Sequence, residues 1–186
     1  MTTIDKREIR SLVKARKSQL TDEERRKAAK AVFDELERTT AFLEADRILM
    51  YHSLPDELST LEFIEKWNDR KQLFLPRVNG VNLELLPYRY TNLRHGAFNI
   101  EEPEGDEIVA AEFMELIVVP GVAFDRQGNR VGRGKGFYDR LLAGTKAITV
   151  GVGYDFQLFD IVPTEPHDTP LDVIITESSH LVFPSR

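Results

Sequence analysis

One stretch of the chain alternates glycine with basic residues: Arg130-Val131-Gly132-Arg133-Gly134-Lys135-Gly136-Phe137-Tyr138-Asp139. Glycines at every second position let backbone N–H groups come close to an anion. A helix starting near Phe137 would add the positive end of its dipole. Arg130, Arg133 and Lys135 supply full charges, so the ligand chemistry read here is polyphosphate. Asp139, one turn into that helix, suits Mg²⁺, which takes one or two carboxylates and phosphate oxygens. The residue order excludes two commoner phosphate loops. A Walker A loop needs Gly at 129, which is Asn, and Ser or Thr at 136, which is Gly. A dinucleotide loop needs Gly-x-Gly-x-x-Gly, and here the glycines alternate strictly. The bland alternative is a glycine-rich hairpin with solvated charge.

Near the start, Lys6 and Arg10 are spaced i, i+4 and share one helix face, with Arg7 off it. A solvated basic face is the ordinary reading of such a pair. His52 falls at the end of an apolar run, where a histidine hydrogen-bonded to backbone is the ordinary reading. His95, His167 and His180 are not spaced as metal ligands and are assigned no chemistry.

The elements that must position these residues follow from periodicity. Residues 4–20 read as a helix on Ile9, Leu12, Val13 and Leu20. Thr21 with Glu24 forms a capping box for a second helix to about Arg38. Residues 47–51 read as a buried strand, and 53–59 as a polar turn. Thr60 reads as the cap of a helix to about Asp69. Residues 72–75 read as a strand stopped by Pro76, 82–90 as an antiparallel strand, and 92–107 as loop. Residues 115–119 form a strongly apolar strand, 124–136 a polar loop, and 137–144 a helix. Strands at 147–152, 172–176 and 181–183 close the chain. Short apolar strands alternating with helices predict one three-layer α/β domain of Rossmann-like type over 1–186. Its mostly parallel central sheet is flanked by helices, and helices 4–38 pack on a core of 46–186. Ligands in such sheets bind beyond the C-terminal strand ends, so the segments 52–60, 120–139 and 153–170 should build the site.

Composition narrows the partners. The 186 residues carry 25 Lys+Arg against 31 Asp+Glu, a net of −6, and no Cys. Zero Cys excludes thiolate metal sites, iron–sulfur clusters and cysteine nucleophiles, and favours a cytoplasmic setting. An acidic balance gives no reason to expect nucleic acid. Residues 1–30 are basic, but five acids among them (Asp5, Glu8, Asp22, Glu23, Glu24) argue against a transit peptide. No apolar run approaches a membrane span, so no membrane association is expected.

The string Pro120-Gly121-Val122-Ala123-Phe124-Asp125, continued by Gly128-Asn129-Arg130 and the loop above, resembles the signature of the 5-formyltetrahydrofolate cyclo-ligase family (5,10-methenyltetrahydrofolate synthetases). Lys6-Arg7-Glu8-Ile9-Arg10, Ser53-Leu54-Pro55-Asp56-Glu57-Leu58-Ser59-Thr60, and Pro166-His167-Asp168 with Leu171-Asp172 resemble three more of its segments. Residues 77–112 carry little signature. The resemblance implies conversion of 5-formyltetrahydrofolate to 5,10-methenyltetrahydrofolate with MgATP, releasing ADP and phosphate through an N5-iminium phosphate, in a monomer. It implies ATP contacts from Lys6, Arg7, Arg10, Arg130, Val131, Gly132, Arg133, Gly134, Lys135, Gly136, Phe137 and Tyr138. Folate contacts would come from His52, Glu57, Arg133, Gly134, Lys135, Gly136 and Phe137. Arg133 and Lys135 would act on the transferring phosphoryl group, with Lys135 the most damaging residue to lose. Asp139 and Asp168 would hold Mg²⁺, with Asp172 in reserve. Glu57 would take the amino group and ring N–H of the pterin. Two departures stand out. Phe137 replaces a frequent Tyr, keeping a stacking surface but no hydroxyl, and His52 replaces a contact that is often apolar. Two other readings are weighed: a nucleotide- or folate-binding regulatory module without turnover, and a sugar-phosphate isomerase or CoA-transferase relative.

Overall fold

The computed structural model describes residues 4–96 and 100–184. In chain order its elements are α1 (Lys6–Lys17), α2 (Asp22–Arg38), α3 (Thr40–Glu44), β1 (Arg47–Leu49), α4 (Leu61–Trp67), β2 (Gln72–Asn79), β3 (Asn82–Pro87), β4 (Leu93–His95), β5 (Glu101–Pro103), β6 (Leu116–Val119), β7 (Ala123–Asp125), β8 (Arg130–Val131), α5 (Phe137–Leu142), β9 (Ile148–Val152), β10 (Leu158–Phe159), β11 (Val173–Ile175) and β12 (His180–Val182).

Seven strands form one sheet in the order β12-β11-β9-β6-β1-β2-β3. The inner pairs are parallel, and only the outer strands β3 and β12 run antiparallel. Such a sheet is covered on both faces, which is why its strands read as continuous apolar runs. In β6, Leu116 and Val118 join a core with α2, α3 and α4, while Ile117 and Val119 join another with Leu142 of α5. The sequence reading of an α/β fold with a mostly parallel sheet holds.

The capping box of Thr21 and Glu24 starts α2 as expected. A second box, Asp5 with Glu8, starts α1, so this helix begins at Lys6 rather than residue 4. Four expectations change. Thr60 does not cap α4: its hydroxyl donates to the Tyr51 carbonyl (2.7 Å) and accepts from Ser53 N, which ties the 51–60 turn together. Pro76 does not stop β2, which continues to Asn79. The Phe74 carbonyl accepts from Met50 N, so alternate residues 74, 76 and 78 face the β1 side. That side is vacated beyond Leu49, and Pro76 gives up no ladder bond there. Residues 92–107 are not all loop, because β4 and β5 pair there as a hairpin. Residues 124–136 likewise contain β8 and part of β7, which form a small sheet with β10.

The chain leaves β1 toward β2 and β3 on one side, then returns through β6 to β9 and β11 on the other. The C-terminal ends of β1 and β6 therefore part, and a crevice opens where residues 50–54 and 120–121 diverge.

Candidate active site

A cleft of about 660 Å³ occupies this crevice. The segments after β1 and β6 line it as expected, with Tyr51, His52, Leu54 and Glu57 from one and Pro120, Gly121 and much of 130–140 from the other. From 153–170 only Glu165, His167 and Asp168 reach it. One wall was not anticipated: Pro76 and Val78 of β2, Leu83 of β3, and Ile100, Glu101 and Glu102. This wall comes from the stretch whose sequence carries little signature.

Among the expected ligands, Lys6, Arg10, Arg130, Arg133, Lys135, Phe137 and Tyr138 line the cleft with Gly132, Gly134 and Gly136. Arg7 is exposed and does not line it, in keeping with its place off the Lys6/Arg10 face. The Val131 side chain is buried in an apolar cluster with Ile9 and Val13, so it anchors α1 and offers no contact to the cleft.

The alternating glycines turn out to admit arginines as well as any anion. A Cβ on Gly132 would lie 2.9 Å from Arg130 Nη1, one on Gly134 3.5 Å from Arg10 Nη2, and one on Gly136 2.7 Å from Arg140 Nη1. Gly134 and Gly136 also have φ of +96° and +69°, which side chains adopt only at a cost. Arg10 Nε donates to the Gly132 carbonyl (2.8 Å) and Arg140 Nη2 to that of Lys135 (2.8 Å). Arg140 Nε also donates to the Val81 carbonyl at the β2–β3 turn (2.7 Å), so it fastens the loop to the unanticipated wall. Gly136→Ala is expected to displace Arg140 and strain the turn by about 1 kcal/mol. Its KM for ATP should rise severalfold with kcat less affected, which steady-state kinetics would check.

Arg130 is nearly buried. It donates to the Pro120 carbonyl and to Asp139 (3.1 Å each), lies over the Tyr138 ring, and leaves Nε without a partner. It braces α5 as well as facing the cleft. Burial raises the pKa of the Tyr138 hydroxyl and keeps it neutral. Arg133 pairs with Asp56 (2.8 Å) and Glu57 (3.2 Å). Burial works against the Arg133 charge, but the two carboxylates raise its pKa net. Glu57 also accepts from Leu54 N with its other oxygen. Both Glu57 oxygens are therefore already engaged, each with acceptor capacity left over.

Asp139, His167 and Asp168 each bring one ligand atom within 4.8 Å of the others. Asp139 and Asp168 thus meet as expected, though they come from α5 and from a remote loop. His167, assigned no chemistry from its spacing, joins them because the loop places it beside Asp168. Lys6 donates to Asp168 (2.8 Å) and Glu165 (2.7 Å). Burial raises the Asp168 carboxyl, but Lys6 and the Glu165 amide hold it below the usual range. Two carboxylate oxygens with an imidazole nitrogen at the end of a cationic loop are a donor set that fits a divalent cation shared with phosphate. Asp172 does not reach the cleft: it accepts from the backbone and hydroxyl of Thr149. Among the described residues no backbone group is hydrogen-bonded to the His52 ring. Its Nε2 lies 3.0 Å from Glu101 Oε2 across the cleft wall.

A family model described as the 5-formyltetrahydrofolate cyclo-ligase family matches residues 2–177. The 5-formyltetrahydrofolate cyclo-ligase of Haemophilus influenzae is 30% identical over 94% of this chain and 100% of its own length. That of Mus musculus is 29% identical over 94% of each. Among solved structures, Aquifex aeolicus 5,10-methenyltetrahydrofolate synthetase superposes with a TM-score of 0.89 at 36% identity, covering 97% of this chain and 94% of that one. The Mycoplasma pneumoniae synthetase shares the fold, with a TM-score of 0.75 at 21% identity over 94% of this chain and 100% of that one.

Proposed function

The chain belongs to the 5-formyltetrahydrofolate cyclo-ligase family, and we propose that its cleft converts 5-formyltetrahydrofolate to 5,10-methenyltetrahydrofolate, with MgATP cleaved to ADP and phosphate. The observation that carries this reading is the composition of the cleft. A cationic glycine loop and a carboxylate–imidazole cluster line the same space as an apolar wall of Leu54, Pro76, Val78 and Leu83. A polyphosphate and a flat heterocycle can lie side by side there.

In this reading the formyl oxygen attacks the γ-phosphate to give an N5-iminium phosphate, N10 attacks the activated carbon, and phosphate leaves. Phosphoryl transfer needs positioning and charge neutralisation more than covalent help from the protein. Lys6 and Arg10, one turn apart on α1, hold ATP phosphates from one side, with Arg130 and Tyr138 at the base of the loop. Lys135 and Arg133 meet the charge that develops on the transferring group. Glu57 takes the pterin amino group and ring N–H. As it does so, Arg133 gives up its weaker partner Glu57 and keeps only Asp56 to leave before it turns to phosphate. Phe137 offers a ring face to the bound ligands. Asp139 and Asp168, with His167 beside them, would hold a divalent cation, which supplies charge screening on the phosphates when bound. The reading carries a cytoplasmic, monomeric enzyme. Among the described residues no helix is long and apolar enough to cross a membrane.

The test is an omission assay. Purified protein with 5-formyltetrahydrofolate, ATP and Mg²⁺ should raise the near-ultraviolet absorbance of the methenyl product, and leaving out any one component should abolish the rise. ATP binding without turnover would point to a regulatory module. No ATP binding at all would point to an isomerase or transferase.

A further inference from the structure

The ring closure of the proposed reaction needs a proton acceptor. N10 carries a hydrogen in the substrate and none in the product. When the N10 lone pair forms the new C–N bond, N10 becomes positively charged. Its proton must leave before phosphate can depart with the C–O electron pair and N10 can share its own pair in the new amidinium. None of the phosphate-side cations can take that proton, because Lys6, Arg10, Arg133 and Lys135 act there in their charged forms.

The wall opposite holds a pair that can. His52 follows β1 at the switch point, and its side chain is only 16% exposed. Its Nε2 faces Glu101 Oε2 at 3.0 Å, and both residues line the cleft. Among the described residues, Nδ1 of His52 makes no hydrogen bond. Glu101 stands beside the ring as a charge partner, so either ring nitrogen can carry the lone pair, and the carboxylate favours the protonated ring once a proton arrives. Burial lowers the pKa of the ring below the ordinary histidine range, which favours the neutral form, and the charge of Glu101 opposes this only in part. The pair lines the same cleft as the apolar wall of Leu54, Pro76, Val78 and Leu83, where a pterin would lie. N10 is one methylene removed from that ring system.

We propose that His52, with the Glu101 carboxylate beside it, is the general base of ring closure, accepting the N10 proton on a ring nitrogen as the carbon–nitrogen bond forms and passing it to solvent. Glu101 then stabilises the imidazolium. This rests on the ligase reading above, and it assigns His52 a role in the second half of the reaction only. General-base assistance of this kind is worth about 10²–10⁴ in rate.

The two halves can be timed separately by acid quench, measuring ADP for phosphoryl transfer and methenyl product for closure. In the wild-type protein both should form together. In His52→Ala and His52→Gln, a burst of ADP equal to one per site should persist at near the wild-type rate, and methenyl formation should fall about 100-fold. Added imidazole should restore part of the closure rate in His52→Ala and not in His52→Gln. The retained ADP burst doubles as the proof that each variant is folded. Equal loss of both products, or no loss of either, overturns the assignment. A wild-type protein that makes neither product overturns the ligase reading instead, and the two failures are told apart in the same experiment.

Discussion

Lys135→Ala should lower kcat/KM by about 10³-fold, the scale of removing one fixed charge from a transferring phosphoryl group. Lys135 is exposed on the loop between two glycines of positive φ, and its backbone carbonyl is held by Arg140. The substitution removes the ammonium and leaves the carbonyl contact and the turn in place. Stability should change far less than activity, since the position is exposed. The measurement is steady-state kinetics beside a thermal melt. A fall in activity with an unchanged melt places the effect on the chemistry, whereas a fall in both would mean that the loop has lost its shape.

Asp139→Ala should be damaging in two ways at once. It removes one of the two carboxylates proposed to hold a divalent cation, for which we expect about a 100-fold loss of kcat/KM. It also strips the Arg130 guanidinium of its carboxylate partner. The Arg130 side chain is only 6% exposed and already leaves Nε unpaired, so the stranded charge should cost about 2–3 kcal/mol. Asp139→Asn separates the two effects. Its amide oxygen can still accept from Arg130 Nη2, so much of the stability should return while the loss of activity persists. Calorimetry of Mn²⁺ binding to both variants would give the ligand role without relying on turnover. Recovery of full activity in Asp139→Asn would remove Asp139 from the cation site and leave it as a brace for Arg130.

What could be read from the chain and what could not divides along contact range. The helix starts at Thr21 and near Phe137 are local events, written in the few residues around them. The central sheet was readable because a fully buried parallel strand such as Leu116–Val119 must be apolar on both faces. The loop 132–136 was readable because its residue order is long and irregular. Pairing across remote positions left no local mark. Nothing around His52 signals Glu101, which reaches it from the β5 strand, and nothing around His167 signals Asp139. Pro76 misled because its tolerance depends on where β1 ends, which is a property of the neighbour. The glycines read as freedom toward an anion. That Arg10 would lie against Gly134, or Arg140 against Gly136, depends on how α1 and α5 dock, and the alternation of glycines says nothing of it.

In the proposed reaction this cleft transfers the γ-phosphoryl group of ATP onto the formyl oxygen of the folate. Turnover with 5-formyltetrahydrofolate carrying ¹⁸O in the formyl group tests it most directly. The released inorganic phosphate should contain one ¹⁸O per methenyl product formed, with none in ADP. Unlabelled phosphate, with the ¹⁸O recovered in water, would mean that ATP is hydrolysed apart from the folate, and would contradict it.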